Sequence, residues 1–171
     1  MNAPTPATPA TPATPEPGVD PTDPRTVVVR YVNAVAEGDL VTVRASFAAD
    51  ATWTYPGDVP LTGVYRGRDT IVDGFLLGAG VLFAPGGAPA VTLTNVIADG
   101  GQVVAEWTSK GLAATGRVYD NACLGVFTVQ DGLITSVREY ADTQHVERSL
   151  FLLISAHFTA TPGIPISPTE L

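Results

Sequence analysis

The stretch SVREYADTQH, residues 136–145, gathers Arg138, Glu139, Asp142 and His145 where a strand-like pattern hands over to a helical one. Each of these groups can hold or move a charge. In a strand, side chains alternate between faces. Leu133, Val137, Glu139 and Ala141 therefore share one parity, and Ile134, Ser136, Arg138 and Tyr140 share the other. The pleat keeps Glu139 from pairing with Arg138, its neighbour along the strand. If the first row faces an interior hollow, Glu139 is a carboxylate among Tyr31, Trp53, Tyr55 and Trp107. Burial disfavours the ionised form and raises a carboxyl pKa, which suits a general acid or base near neutral pH. Two plainer readings stay open: a solvated glutamate at a strand end, or one paired with a basic group across a dimer interface.

The elements that must position these residues follow from periodicity. TVVVRYVNAVAEGDL places Val28, Tyr31, Val32 and Val35 at i, i+3, i+4 and i+7, one stripe of an amphipathic helix. Gly38 suits its C-terminal cap, and Asp39 the N-cap of a short second helix. DATWTYP alternates as a strand and stops at Pro56. GRDTIVDGFLLG predicts a third helix, with Asp69 read as a cap or first-turn charge and with Ile71 and Phe75 at i and i+4. Strands follow at AVTLTNVIA, QVVAEWTSKGL, ACLGVFTV and LITSVREYA, with turns at DGG and QDG. Asp142 is the expected cap of a closing helix, TQHVERSLFLLISAHF, in which His157 reads as structural. Helices first and antiparallel strands afterwards predict an α+β domain. The first helix lies across a curved sheet and leaves a conical hollow. In VVAEWTSK, Val103, Ala105, Trp107 and Ser109 take the inner face. In ACLGVFTV both parities are apolar, so either Cys123, Gly125, Phe127 and Val129 or the alternate set could face inward.

Composition bounds the partners. The 171 residues carry a formal charge of −8, with 45% hydrophobic residues. Nucleic acid and anionic membranes are poor partners for such a surface. The lone Cys123 excludes an internal disulfide, and two histidines without a Cys/His cluster predict no metal site. No apolar run approaches the ~20 residues that span a bilayer, so a cytoplasmic location is expected. Residues 1–24 hold eight of the fifteen prolines, including TPATPATPATP, and predict a solvated tail that is not a secretory signal. Residues 25–160 form the expected domain, and 161–171 a second tail.

VVRYVNAVAEGDLVTVRASFAADATWTYPG, LTGVYRGRDTIVDGF and YDNACLGVFTVQDGLITSVREYADT, in that order, resemble the SnoaL-like branch of the nuclear-transport-factor-2-like superfamily. The resemblance implies a cone-shaped α+β barrel with a deep pocket, commonly a homodimer through the sheet. Its members include polyketide cyclases, ketosteroid isomerases and epoxide hydrolases, so the fold leaves function open. SnoaL-like cyclases use a carboxylate on the last strand, and Glu139 matches that place. Ketosteroid isomerases hold an oxyanion with a tyrosine of the first helix, matched by Tyr31. Their aspartate on the first strand is here Tyr55. Limonene epoxide hydrolase is similar too, but its arginine and first aspartate fall near Trp107 and Ser109.

These readings converge on a cofactor-independent cyclase closing a ring in an apolar or polyketide-like small molecule. Closure is either aldol-type or by a hydroxyl opening an epoxide; hydrolysis, isomerisation and a non-catalytic binding or dimerisation module are the alternatives. Glu139, Tyr31 and Tyr55 form the expected catalytic set. Trp53, Trp107, Ser109, Phe75 and Phe127 form the binding set, with His145 at the pocket mouth.

Overall fold

The structure, a computed structural model, describes residues 20–86 and 88–152. His157 and nearly all of both expected tails lie outside these residues. Helix α1 spans Pro24–Glu37, one residue ahead of the expected domain start. Asp23 accepts a hydrogen bond from the Thr26 amide at 2.9 Å, Pro24 occupies the first turn, and Gly38 closes the helix at φ 72°. Its buried face carries Val27, Val28, Tyr31, Val32 and Ala34. Helix α2, Leu40–Ala45, is capped by Asp39 as expected.

Six strands follow: β1 Phe47–Tyr55, β2 Gly63–Arg66, β3 Ala90–Asp99, β4 Gln102–Leu112, β5 Val118–Gln130 and β6 Leu133–Ala141. They form one open curved sheet in the order β2-β1-β6-β5-β4-β3. Helix α1 crosses its inner face and packs on β3, β4, β5 and β6. The α+β cone expected from the sequence is present, with three differences. Strand β2 had not been foreseen. Strand β5 begins at Val118, four residues before the expected start. And β1 pairs with β6 in parallel, Trp53 opposite Val137, while every other pair is antiparallel.

The third helix is a π-helical segment, Thr70–Leu76, continuing into α3, Leu77–Gly80. Asp69 does not cap it; its carboxylate instead pairs with Arg44 of α2, which also holds Asp73. After β6, Asp142 caps α4, Thr143–Val146, by accepting from the His145 amide at 3.1 Å, and a π-helical turn runs on to Phe151.

The inner rows of β1 and β4 face the core as their alternation predicts. On β5 the ambiguity resolves to Cys123, Gly125, Phe127 and Val129 inward. On β6 the expected row fails at its start. A β-bulge leaves Thr135 unpaired between Thr128↔Ser136 and Val129↔Ile134, which turns Ile134 inward and Leu133 out. Beyond the bulge, Val137 and Glu139 keep the inner face.

Phe127 is fully buried at the centre. Its ring centroid lies 5.8 Å from that of Tyr31 and 6.5 Å from those of Trp53 and Trp107. Gly125 makes room for this arrangement. A Cβ there would stand 2.5 Å from Phe127 Cε2 and 3.0 Å from the Trp107 ring. Gly125→Ala is therefore expected to destabilise the fold by about 1–3 kcal/mol through overpacking, measurable as a lower urea midpoint with an unchanged m-value. An unaltered midpoint would mean that the rings yield without cost.

Candidate active site

A cavity of about 430 Å³ opens between α1, the inner face of the sheet and the π-helical segment. Large rings from facing elements border it. Tyr31, Trp53, Tyr55 and Phe75 line it, joined by Trp107, Ser109 and Glu139. Seven of the nine expected site residues are therefore brought to one hollow. The other two are not. Phe127 lies a layer deeper, beneath the rings of Tyr31, Trp53 and Trp107, and forms core rather than wall. His145 sits behind the wall. Its ring packs at a tilt against Tyr119 at 5.4 Å, and its Nε2 accepts from the Asp120 amide at 3.1 Å, which ties the imidazole to β5.

Glu139 is partly buried, and the cavity is the space it borders. Three features of the sheet place it there. Beyond the bulge it shares the inward row of Val137, the parallel pairing of β1 with β6 brings Tyr55 alongside, and its antiparallel partner is Gly125, which has no side chain to cover it. Among the described residues the lining contains no lysine, arginine or histidine to neutralise the carboxylate. Desolvation accordingly pushes the Glu139 carboxyl up from 4.5 to about 7, opposed by the nearby indole N–H of Trp53. That N–H is fully buried and has no acceptor at ordinary hydrogen-bond geometry. It lies close enough to favour the ionised carboxylate without closing a full bond.

The hydroxyls around the carboxylate stay protonated. Burial first, and the charge of Glu139 second, raise Tyr31 and Tyr55 above their ordinary range. They can donate hydrogen bonds but cannot serve as bases near neutral pH. Cys123, also in the wall, is pushed up to about 12 by burial and by Glu139, so its thiol is not a nucleophile.

Tyr119 completes the wall and was missed from the sequence. The signal is present, because Tyr119, Asn121 and Cys123 share a parity, but the strand expected from the sequence starts only at Ala122. Burial raises the Tyr119 hydroxyl as well, while a hydrogen bond from Asn121 acts in the opposite direction. Among the described residues no three His, Cys, Asp or Glu side chains gather in a metal-binding group, and no helix is long and apolar enough to cross a membrane.

The raised Glu139 pKa links folding to pH. Between about 4.5 and about 7 the folded protein keeps a proton that the unfolded chain has released. The stability this confers is complete below the lower value and lost as pH rises through the upper one. The melting temperature of the native protein should therefore fall relative to that of Glu139→Gln across this window, and no further above it. A constant offset between the two proteins from pH 4.5 to 8 would show that the carboxyl titrates as in water.

The sequence pattern of the SnoaL-like domain matches residues 28–137. An uncharacterized protein of Mycobacterium tuberculosis is 37% identical over 123 residues, covering 71% of this chain and 91% of that protein. Among solved structures, an NTF2-like protein of unknown function from Burkholderia pseudomallei superposes with a TM-score of 0.66 at 21% identity, over 78% of this chain and 100% of the other. An LEH-like epoxide hydrolase of M. tuberculosis superposes with a TM-score of 0.60 at 25% identity, over 75% of this chain and 90% of its own. The pattern covers most of the described chain and the superpositions match its α1 helix laid over an open curved sheet: the chain belongs to the SnoaL-like domain family, within the NTF2-like superfamily.

Proposed function

We propose that this protein is a cofactor-independent enzyme that closes a ring in an uncharged, largely apolar small molecule, with Glu139 as its general acid/base. One observation carries the reading: among the described residues a single carboxyl, pushed up to about 7, borders a largely aromatic and aliphatic cavity whose lining holds no cation. A group poised near the working pH can both take and return a proton. The cavity volume accommodates a molecule of several fused or linked rings and holds it in few conformations. Intramolecular closure gains most from such pre-orientation.

In the ether-forming version, the Glu139 carboxylate takes the proton of a substrate hydroxyl as that oxygen attacks an epoxide carbon. One C–O bond forms, the epoxide C–O bond breaks, and the released alkoxide takes a proton from Tyr31 or Tyr55. The protonated Glu139 then restores that tyrosine, so the net reaction is an isomerisation. In the aldol version the carboxylate takes a proton α to a carbonyl, and the resulting enolate adds to a second carbonyl. The open cavity supports an enzyme over a binding or dimerisation module whose cone is filled by its own side chains. A homodimer would use the outer face of the sheet, where Leu124 and Val126 flank Tyr140, which is 47% exposed.

Water opening an epoxide is the second reading, favoured by the superposition on an epoxide hydrolase. Two positions weigh against it. Trp107 and Ser109 stand where the resemblance puts that enzyme type's arginine and first aspartate, which leaves one carboxylate to activate water. Incubation with lipophilic epoxy-alcohols and linear polyketones in ¹⁸O-labelled water separates the readings: cyclisation yields an isomer of unchanged mass, hydrolysis a labelled diol. Glu139→Gln should lower the turnover number by roughly 10²–10⁴-fold and abolish the rise in rate through about pH 7. An equal rate in the variant would remove Glu139 from the mechanism.

A further inference from the structure

The Asn121 side chain is 3% exposed and fully engaged. Its Nδ2 donates to the Asp142 carbonyl at 3.2 Å, and its Oδ1 accepts from the Asp142 amide at 3.3 Å. A backbone carbonyl cannot donate and a backbone amide cannot accept, so the two bonds fix which end of the side-chain amide is nitrogen. The second Nδ2 hydrogen then goes to Tyr119 Oη, 3.3 Å away. Tyr119 is therefore an acceptor on that side, and its own proton must point elsewhere.

The ring has little freedom to turn away. It is held edge-on by Phe83 at 5.5 Å and packed at a tilt by His145 at 5.4 Å. The imidazole cannot receive the proton at Nε2, which already accepts from the Asp120 amide. Among the described residues the Tyr119 hydroxyl makes no hydrogen bond as a donor, although the residue is only 6% exposed. The space it borders is the cavity that holds Glu139.

Resting on the proposed use of this cavity, we propose that the Tyr119 hydroxyl is an oxygen-binding donor of the cavity, aimed by Asn121 at a ketone carbonyl oxygen of an uncharged ligand. Asn121 is the positioning residue, because its N–H occupies the phenol oxygen and leaves only the proton free. The same bond draws electron density from the phenol and makes it a better donor. An anionic ligand oxygen is excluded by charge: Glu139 shares the cavity, and no described lining residue is cationic. The ligand then spans the two ends of the hollow, its accepting oxygen on Tyr119 and its acidic or hydroxyl proton at Glu139.

The probe is 6-propionyl-2-(dimethylamino)naphthalene, a neutral ketone whose fluorescence moves to the red when its carbonyl accepts a hydrogen bond. It should bind the native protein with red-shifted emission. Tyr119→Phe should shift the bound emission to the blue and weaken binding about 3–10-fold, the range of one neutral hydrogen bond. Asn121→Asp places an acceptor beside the phenol, diverts its proton and should reproduce the blue shift with Tyr119 still present. Neutral 2-acetonaphthone should displace the probe and 2-naphthoate should not. Binding with emission and affinity unchanged in Tyr119→Phe would overturn the assignment while leaving the cavity a ligand site. Absence of binding to the native protein would overturn both.

Discussion

A carboxylate without a counter-ion inside an apolar cavity is the constraint on which the rest of the site depends. Water would solvate it and a neighbouring arginine would hold it ionised; the described lining offers neither arginine nor lysine. The indole N–H of Trp53 supplies only partial compensation. The group is thus kept near the point where both protonation states are accessible. Everything around it can be understood from this demand. Rings from α1, β1, β4 and the π-helical segment keep the local polarity low, and Gly125 opposite leaves the carboxyl uncovered.

The tyrosines share the consequence. Each is held protonated by the burial and negative charge that disfavour its ionised form. The site is thereby divided into one group that exchanges protons readily and several that donate hydrogen bonds. Such a division can serve many reactions of neutral molecules, which fits a family whose fold hosts different chemistries.

Much of this was legible in the chain. The α1 stripe, the caps at Gly38, Asp39 and Asp142, and the inward rows of β1 and β4 follow from local periodicity and turn chemistry. Alternation sets Glu139 in one row with Val137, and the family resemblance points to the same residue. The alternation holds there because the bulge lies on the N-terminal side of it, at Thr135, where Leu133 and Ile134 exchange faces. A bulge inserts one residue without a compositional mark, so period-two counting cannot see it. For Phe127 two apolar parities leave the face open in the sequence, and its depth is set by Gly125 and by the rings of three other elements. His145 was placed by its position in a helix turn, whereas a backbone amide on another strand decides where its ring points. Asp69 looked like a cap, yet Arg44, 25 residues away, claims its carboxylate.

The parallel pairing of β1 with β6 bears on how the chamber comes into being. Trp53 and Val137 are partners across 84 positions of chain. Closing so large a loop costs entropy that local contacts do not offset, and such pairings are acquired late in folding. During synthesis, the aromatic wall of β1 emerges well before the strand that carries the acid. Until β6 docks between β1 and β5, the nascent chain holds a greasy cleft with no catalyst in it and two exposed strand edges, a species open to mispairing with its own kind.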